Sequence, residues 1–304
     1  MLISIDHGNK SVKTASRIFT SGIRESDTKP PFDKDVLMYR GKYYTLSDKR
    51  IPFMRDKTTD DRFYILTLFA IAFEIEDKGR YEDDVISVQL LAGLPPAHYG
   101  AQFERFEKYF TRGEVEEFEF HKKRFEIYIS EASVFPQAFA AVMPIYTQIS
   151  DFPRVTVIDI GGFTADYLLM KNGEFNKSDC GSLEHGVIHL YNKVSERINS
   201  DLNLLLDESD IDAVIKGEPN EYGGDVKSIV FSAAREFISD LFNMLRERSI
   251  DLRSGKTVFV GGGSILLNKL IKESVKVASP IFVDRISANA KGYELLNEMS
   301  KERR

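Results

Sequence analysis

A short pattern occurs twice in this chain, once at the start and once near the middle, and it limits the folds that the chain can adopt. The first copy, residues 5–13, reads IDHGNKSVK, and the second, residues 158–166, reads IDIGGFTAD. In each copy an apolar strand ends at an aspartate, a spacer and a glycine follow, and small or polar residues lead into another strand. One copy alone is an ordinary turn. Two copies separated by about half of the chain indicate a duplicated domain with two facing loops.

The residue types in these loops suit a phosphate chain and its metal ion. Glycine lacks Cβ and lets backbone N–H groups approach phosphate oxygens closely. Thr164 and Asn9 add polar donors, and Lys13 adds a positive charge. Aspartates repel phosphate but suit Mg²⁺, which prefers carboxylates together with waters and substrate phosphates. We therefore predict that Asp6 and Asp159 hold the Mg²⁺ of a nucleotide in a site between two domains.

The rest of the sequence alternates strands with helices, which is typical of an α/β protein. Residues 36–46 predict a hairpin, and apolar side chains at helical spacing predict a helix over residues 60–76. Pro136 is expected to open another helix, since proline suits a first helical turn. A strand over residues 257–260 leads into three glycines and a helix over residues 265–271.

Composition excludes several classes of function. The formal net charge of -6 argues against a broad nucleic-acid surface, which needs clustered lysine and arginine. The single cysteine, Cys180, excludes an internal disulfide and a thiolate metal cluster. No stretch approaches the roughly 20 apolar residues of a membrane span, and the N-terminus does not read as a signal peptide. We therefore expect a cytoplasmic protein without membrane contact.

The motifs resemble those of the actin, Hsp70 and sugar-kinase superfamily, and most closely the bacterial plasmid-segregation actins of the ParM (StbA) type. Asp6, Gly8 and Lys13 resemble the first phosphate loop, and residues 159–166 resemble the second. Residues 258–264 (VFVGGGS) are similar to the adenosine loop. Residues 182–187 (SLEHGV) resemble the segment before a helix that borders the nucleoside, and residues 288–293 (ANAKGY) resemble an inter-domain connection.

This resemblance implies an actin-like (ribonuclease H-like) α/β fold of duplicated domains with a nucleotide cleft between them. Domain I would comprise residues 1–153 plus 286–304, and domain II residues 154–285. The implied nucleotide is ATP, with GTP as an alternative because backbone contacts discriminate purines poorly, and the implied metal is Mg²⁺. Glu184 is a candidate for the ribose hydroxyls. The residues expected at the phosphates or the nucleoside are Gly8, Asn9, Lys13, Gly161, Gly162, Phe163, Thr164, Glu184, Gly261, Gly262, Gly263 and Asn289.

The residue that orients the attacking water has two candidates. The family places a Glu or Gln at this point, and the sequence offers Gln137 or, six residues earlier, Glu131. Alignment on the alanines that follow Gln137 favours that residue, whereas Glu131 would be the better general base. Together with Asp6 and Asp159, these two residues form the expected catalytic set.

The resemblance also implies a function. It predicts an ATPase that polymerises into filaments of itself and segregates plasmid DNA through a small DNA-binding adaptor of the ParR type, without direct DNA contact. The alternatives are a small-molecule kinase or a chaperone-like ATPase of the same superfamily. A kinase would require an Asp base and a substrate pocket that the sequence does not reveal, and the chain has no room for an appended chaperone substrate domain.

Overall fold

The structure, a computed structural model, describes residues 1–79 and 84–302 of the 304-residue chain. Arg303 and Arg304, the end of predicted domain I, therefore lie outside the described residues. The chain forms two compact units: unit 1 comprises Met1–Pro144 and Ser287–Arg304, and unit 2 comprises Ile145–Ile286. Tyr146 donates from its hydroxyl to the carbonyl of Gly173 at 3.0 Å. This bond ties the segment after Pro144 to unit 2.

The described residues of unit 1 form ten strands in two sheets and four helices. The strands are β1 (Leu2–Ser4), β2 (Asp6–His7), β3 (Ser11–Lys13), β4 (Ile18–Thr20), β5 (Ile23–Ser26), β6 (Val36–Tyr39), β7 (Lys42–Leu46), β8 (Ile86–Leu94), β9 (Glu116–Phe120) and β10 (Lys123–Pro136). The helices are α1 (Arg62–Asp77), α2 (Pro96–Phe110), α3 (Phe139–Val142) and α10 (Ala288–Glu302). The larger sheet has the order β1-β8-β10-β9-β6-β7-β5, and the smaller has the order β2-β3-β4. A 3₁₀ turn over Met143–Ile145 leads into unit 2.

Unit 2 contains one five-stranded sheet and six helices. Its strands are β11 (Arg154–Ile160), β12 (Ala165–Lys171), β13 (Glu174–Leu183), β14 (Lys256–Val260) and β15 (Pro280–Phe282). Its helices are α4 (Tyr146–Ile149), α5 (Val187–Leu202), α6 (Glu208–Lys216), α7 (Gly224–Glu247), α8 (Gly262–Leu266) and α9 (Asn268–Lys272). The sheet order is β13-β12-β11-β14-β15.

The two units share one five-strand arrangement. In unit 2, β11, β12 and β13 form an antiparallel meander, and β14 and β15 continue the sheet in parallel with β11. In unit 1, β2, β3 and β4 form the meander, while β8 and β10 continue in parallel with β1. Only Ile5 separates β1 from β2, and its N–H donates to the carbonyl of Leu91 in β8 at 2.8 Å. The predicted α/β fold with duplicated domains is therefore confirmed.

Two long helices illustrate how sequence pattern sets burial. All side chains from residue 63 to residue 75 of α1 are buried, as expected for a helix that is apolar on every side. Helix α7 is amphipathic, and its buried face includes Val230, Phe237 and Leu241. Within the described part of the chain, no helix combines the length and apolar character needed to cross a membrane.

Two sequence expectations were wrong. Pro136 does not open a helix: it ends β10 opposite Leu94, and the N–H of Gln137 donates to the Leu94 carbonyl, which extends the strand pairing. The helix expected over residues 265–271 is two short helices, α8 and α9.

Candidate functional site

In unit 1, the candidate site residues are centred on the carboxylate of Asp6. Asp6 is 2% exposed, and each of its oxygens accepts one hydrogen bond. Lys13 donates from Nζ to Oδ2 at 3.2 Å, and Gln137 donates from Nε2 to Oδ1 at 2.8 Å. Lys13 reaches Asp6 because the two residues are cross-strand partners in the β2–β3 hairpin. The structure thus brings together three residues that the sequence singled out.

The contact with Asp6 fixes the orientation of the Gln137 side chain. A carboxylate only accepts hydrogen bonds, so the amide nitrogen of Gln137 must face it. The amide oxygen, Oε1, is then directed elsewhere and remains an acceptor. Gln137 is therefore suited to orient a water molecule through Oε1, although an amide is a weak general base.

A strained turn follows Gln137 immediately. Ala138 has φ +60 and ψ -51, and the N–H of Phe139 donates to the carbonyl of Gln137 at 2.6 Å. These values describe a γ-turn with positive φ, a rare conformation for a residue other than glycine. Asn289 of α10 supports the turn, because its Oδ1 accepts from the N–H of Ala138 at 3.0 Å. The sequence did not reveal this role of Asn289, which no local pattern encodes.

Glu131, the other candidate, lies elsewhere on unit 1. It is exposed on β10 at an irregularity of the pairing with β8, and it accepts a hydrogen bond from Ser133 at 3.3 Å. Six residues of extended chain separate it from Gln137, which corresponds to about 20 Å. Of the two candidates, the structure places only Gln137 beside Asp6.

The other candidate part of unit 1 is loop 1 (residues 7–10), which comprises the last residue of β2 and the connection to β3. Gly8 is required there by space, since a Cβ at this position would lie 2.6 Å from the carbonyl oxygen of Ser11. Asn9 is half-buried in the same turn. Loop 1 therefore depends on glycine for a tight backbone, as the sequence predicts.

In unit 2, the candidate site residues include loop 2 (residues 161–164), the connection between β11 and β12. The carbonyls of Gly161, Gly162 and Phe163 all accept hydrogen bonds from main-chain N–H groups at the start of α5. The donors are Val187 at 3.1 Å, Ile188 at 2.9 Å and Gly186 at 2.8 Å, respectively.

These hydrogen bonds to the carbonyls determine the direction in which the N–H groups of loop 2 point. The C=O and N–H of one planar peptide point in opposite directions. The N–H groups of Gly162, Phe163 and Thr164 are therefore turned away from α5. Successive N–H groups on one side of a turn form an anion-binding concavity. Loop 2 thus has the backbone geometry that phosphate binding requires.

Gly186 makes this contact between loop 2 and α5 possible. A Cβ at Gly186 would lie 2.4 Å from the carbonyl oxygen of Gly162 and 2.5 Å from the carbonyl carbon of Phe163. Its φ of -93 is open to any residue, so space alone requires the glycine. The sequence pattern placed Gly186 near a nucleoside and did not reveal that it supports loop 2.

Asp159 lies at the end of β11 and packs against the glycines that follow β14. It is 7% exposed, and a Cβ on Gly261 would lie 2.1 Å from its Oδ1. Gly261 also has φ +87 and ψ 162, a conformation that is essentially restricted to glycine. Gly263 packs on Ile160 and Val187, whereas Gly262 has open space above its Cα. Gly262 is therefore the glycine of the three that a ligand can approach.

The other predicted residues of unit 2 lie around loop 2. Thr164 donates from its hydroxyl to Oδ2 of Asp166 at 3.3 Å, and Asp166 is the cross-strand partner of Asp159. Phe163 packs its ring against His189 with the centroids 5.6 Å apart. Glu184 is exposed in the segment between β13 and α5.

Each unit supplies a carboxylate of the kind that suits Mg²⁺. Among residues 1–79 and 84–302, no group of three or more His, Cys, Asp or Glu side chains could hold a metal by itself. Mg²⁺ in nucleotide sites is held by one or two carboxylates together with waters and phosphates. The carboxylates of Asp6 and Asp159 supply hard oxygen donors of that kind.

Comparison with known families identifies the fold. Residues 4–139 match the family model for the N-terminal domain of actin-like proteins, and residues 157–273 match the model for the C-terminal domain of the archaeal actin homologue MreB-like. The chain is an actin-like protein. Among curated proteins, none matches it at the sequence level.

Solved actin-like proteins share this fold over their full length. ParM in a 15-stranded filament from Clostridium botulinum is 19% identical, with a TM-score of 0.75 over 98% of this chain and 99% of that one. The archaeal actin homologue Ta0583 in complex with ADP is 17% identical, with a TM-score of 0.75 over 98% and 99%. ParM from Bacillus thuringiensis with AMPPNP is 14% identical, with a TM-score of 0.71 over 99% of each chain. The predicted resemblance to ParM-type actin-like proteins is confirmed.

Proposed function

We propose that this actin-like protein binds and hydrolyses ATP with Mg²⁺, with GTP as an alternative nucleotide. The observation that carries the proposal is loop 2, where three carbonyls bonded to α5 turn three successive N–H groups to the opposite side. The Asp6 cluster adds a carboxylate, a lysine and an oriented glutamine in unit 1. Solved relatives contain ADP and AMPPNP, which supports a nucleoside polyphosphate as the ligand.

Each of the candidate site residues would have a separate role in ATP hydrolysis. Asp6 and Asp159 would hold Mg²⁺ through waters, and the metal would neutralise charge on the phosphates. The N–H groups of loops 1 and 2, the hydroxyl of Thr164 and the ammonium of Lys13 would bind the phosphate oxygens. Gln137 would accept a hydrogen bond from the attacking water through Oε1 and so align it with the γ-phosphorus.

The nucleoside would be bound by the other predicted residues of unit 2. The exposed carboxylate of Glu184 suits the ribose hydroxyls, and the open face of Gly262 suits close approach of a flat base. Gly261 and Gly263 would act by letting the adenosine loop pack on Asp159 and α5. In unit 1, Asn289 supports the turn after Gln137, and it would position Gln137 in addition to lying near the nucleoside.

We further propose that ATP binding drives polymerisation and that hydrolysis destabilises the polymer. The relatives of the same fold include ParM and Alp12, whose structures were determined as filaments. The resemblance to plasmid-segregation actins extends the proposal to a small DNA-binding adaptor of the ParR type as the second partner. The net charge of -6 supports indirect rather than direct contact with DNA.

The test of hydrolysis is the Asp159→Ala variant, with Asp151→Ala as a control because Asp151 is exposed outside the site. Asp159→Ala should fold normally and release no phosphate from ATP, whereas Asp151→Ala should match the wild type. Phosphate release by Asp159→Ala at the wild-type rate would remove Asp159 from the site.

The test of assembly is sedimentation and light scattering with ATP and Mg²⁺ at micromolar protein. Scattering should rise with ATP, and phosphate release should lag behind it. A protein that remains monomeric with ATP while phosphorylating a metabolite would instead be a small-molecule kinase. Electron microscopy with and without ATP would show which outcome applies.

A further inference from the structure

The carbonyls of loop 1 accept hydrogen bonds, as those of loop 2 do, but the donors are different groups. The carbonyl of His7 accepts from the Nζ of Lys57. The carbonyl of Gly8 accepts from the hydroxyl of Ser21 at 2.6 Å, and the carbonyl of Lys10 accepts from the N–H of Ser21 at 3.1 Å. By the same peptide geometry, the N–H of Gly8 is turned away from the Nζ of Lys57, and the N–H of Asn9 is turned away from the hydroxyl of Ser21.

Lys57 is an unusual residue for this task because it is buried. It lies in the irregular segment between β7 and α1, 50 residues from His7 along the chain, and only 7% of it is exposed. Its Nζ also lies 5.1 Å from the ring centroid of Phe63. Burial of an ammonium group is unfavourable unless the group is well satisfied. A buried lysine against a loop carbonyl therefore implies that the position requires its charge or its donor.

The surroundings of His7 show how close this charge lies to loop 1. The imidazole is fully buried among Phe63, Phe106 and Phe110, and its Nε2 bonds to the hydroxyl of Thr67 at 2.8 Å. Burial and, next, the charge of Lys57 lower the pKa of His7 to about 3. His7 is therefore neutral near pH 7, and Lys57 provides positive charge behind the loop.

Ser21 contributes in a different way, since it is uncharged. It is fully buried at the start of the segment between β4 and β5, and it contacts loop 1 through both its hydroxyl and its main chain. One serine thus holds two carbonyls on either side of Asn9. This arrangement fixes the curvature of the loop.

We propose that Lys57 and Ser21 are positioning residues that hold loop 1 in its anion-binding conformation, with Lys57 adding charge that favours a triphosphate. The inference rests on the proposed function, because it concerns the same nucleotide. Neither residue belongs to the repeated sequence pattern, and both reach the loop only through the fold. Their effect is specific to the phosphates and does not extend to the nucleoside.

The first experiment compares Lys57→Met with Lys49→Met, a control at an exposed lysine of the same segment. Equilibrium titrations would use ATP, ADP and adenosine. Lys57→Met should weaken ATP binding by about 10- to 100-fold, as expected for loss of a charged hydrogen bond. Adenosine should bind as to the wild type. Lys49→Met should leave both affinities unchanged.

The second variant, Ser21→Ala, removes one neutral hydrogen bond with little change of volume. It should weaken ATP binding by about 3- to 10-fold and leave adenosine binding unchanged. Ser21→Ala decides the question if Lys57→Met does not fold.

The third measurement needs no nucleotide. Amide hydrogen exchange should become faster in residues 6–13 of either variant, while residues 159–166 exchange as in the wild type. This readout tests the capture of loop 1 directly, because exchange reports local opening of a hydrogen-bonded segment.

The outcomes separate this inference from the proposed function. A wild-type protein that binds no ATP would refute nucleotide binding, whereas the exchange experiment would still test the role of Lys57 and Ser21. Equal losses of ATP and adenosine affinity would show a merely structural role and overturn the inference. Wild-type affinity and wild-type exchange in the variants would overturn it as well.

Discussion

Loops 1 and 2 share a sequence pattern and a place in the fold, yet they are held in different ways. Three main-chain N–H groups of α5 hold the carbonyls of loop 2, whereas the side chains of Lys57 and Ser21 hold two carbonyls of loop 1. Main-chain donors persist through most substitutions and fail only when added volume separates the segments. Side-chain donors depend on residue identity. The same backbone geometry can therefore have unequal tolerance to mutation.

The two halves also differ in charge at an equivalent position. Asp6 pairs across the hairpin with Lys13, and Asp159 pairs with Asp166 at the corresponding point of β11 and β12. In unit 1 a cation offsets the carboxylate, and in unit 2 a second carboxylate adds to it. We expect unit 2 to attract the metal cation more strongly and unit 1 to align phosphate and water.

The largest expected effect tests this assignment of water alignment to unit 1. Gln137→Leu removes the acceptor that would orient the water while keeping a similar volume. Turnover of ATP should fall on the order of 100- to 1,000-fold, with ATP affinity nearly unchanged. Single-turnover hydrolysis and equilibrium binding measure the two quantities.

Glu131→Leu is the matched control for Gln137→Leu. Because Glu131 is exposed and lies far from Gln137 along β10, the turnover of Glu131→Leu should equal that of the wild type. A loss of turnover in Glu131→Leu, with none in Gln137→Leu, would transfer the role to Glu131.

The next effect concerns the metal side, in unit 2. Gly261→Ala forces a Cβ against Oδ1 of Asp159 and imposes an unfavourable φ. The free energy of unfolding should fall by about 1–3 kcal/mol, the cost of strain of this kind. Turnover should decrease by about 100-fold, because the carboxylate is displaced from its position. Gly217→Ala is the control: its φ is +72, and a Cβ there meets nothing within 4 Å. It should lose some stability and keep full turnover.

A third prediction tests the main-chain hydrogen bonds that hold loop 2. Gly186→Ala inserts a methyl group between α5 and the Gly162 carbonyl. Because this added volume pushes loop 2 away from α5, ATP affinity should fall by about 30-fold, which corresponds to the energetic cost of overpacking. Gly223→Ala is matched to it, since Gly223 also precedes a helix in extended conformation but has nothing within 4 Å. Unchanged ATP affinity in Gly186→Ala would show that α5 does not set the shape of loop 2.

The smallest effect distinguishes the loops by pH. The folded pKa of His7, about 3, lies below its ordinary value of 6.5, so unfolded chains bind the proton more readily. The stabilisation by His7 is complete above about pH 6.5 and is lost as the pH falls toward 3, by up to about 1.4 kcal/mol per pH unit. Urea unfolding of wild type and His7→Gln between these pH values measures it.

The outcome should differ between the loops as well as between the variants. His7→Gln should show a shallower decrease of stability with acid, and intrinsic-rate-corrected exchange should rise in residues 6–13 before it rises in residues 159–166. If the free energy of unfolding fell equally with acid in both proteins, protonation of His7 would not be what destabilises loop 1.

Much of the fold was predictable because its signals are local. Alternating strands and helices, the hairpin at Arg40 and Gly41, and the apolar helix α1 follow from patterns within single segments. Pro136 was misread because its role is set by a partner strand: the chain after it bonds to Leu94, more than 40 residues away in sequence. Strand pairing is a non-local interaction that local propensity does not encode.

For the site, the residue types predicted the chemistry: two aspartates, the glycines of two loops, a lysine and a water-orienting Gln or Glu. The fold alone established which of these groups meet. It placed Gln137 on Asp6, set Gly261 beneath Asp159, and brought Lys57, Ser21 and Gly186 to loop carbonyls. The physical reason is that residue type fixes what a group can donate or accept, whereas packing of distant segments fixes its partner.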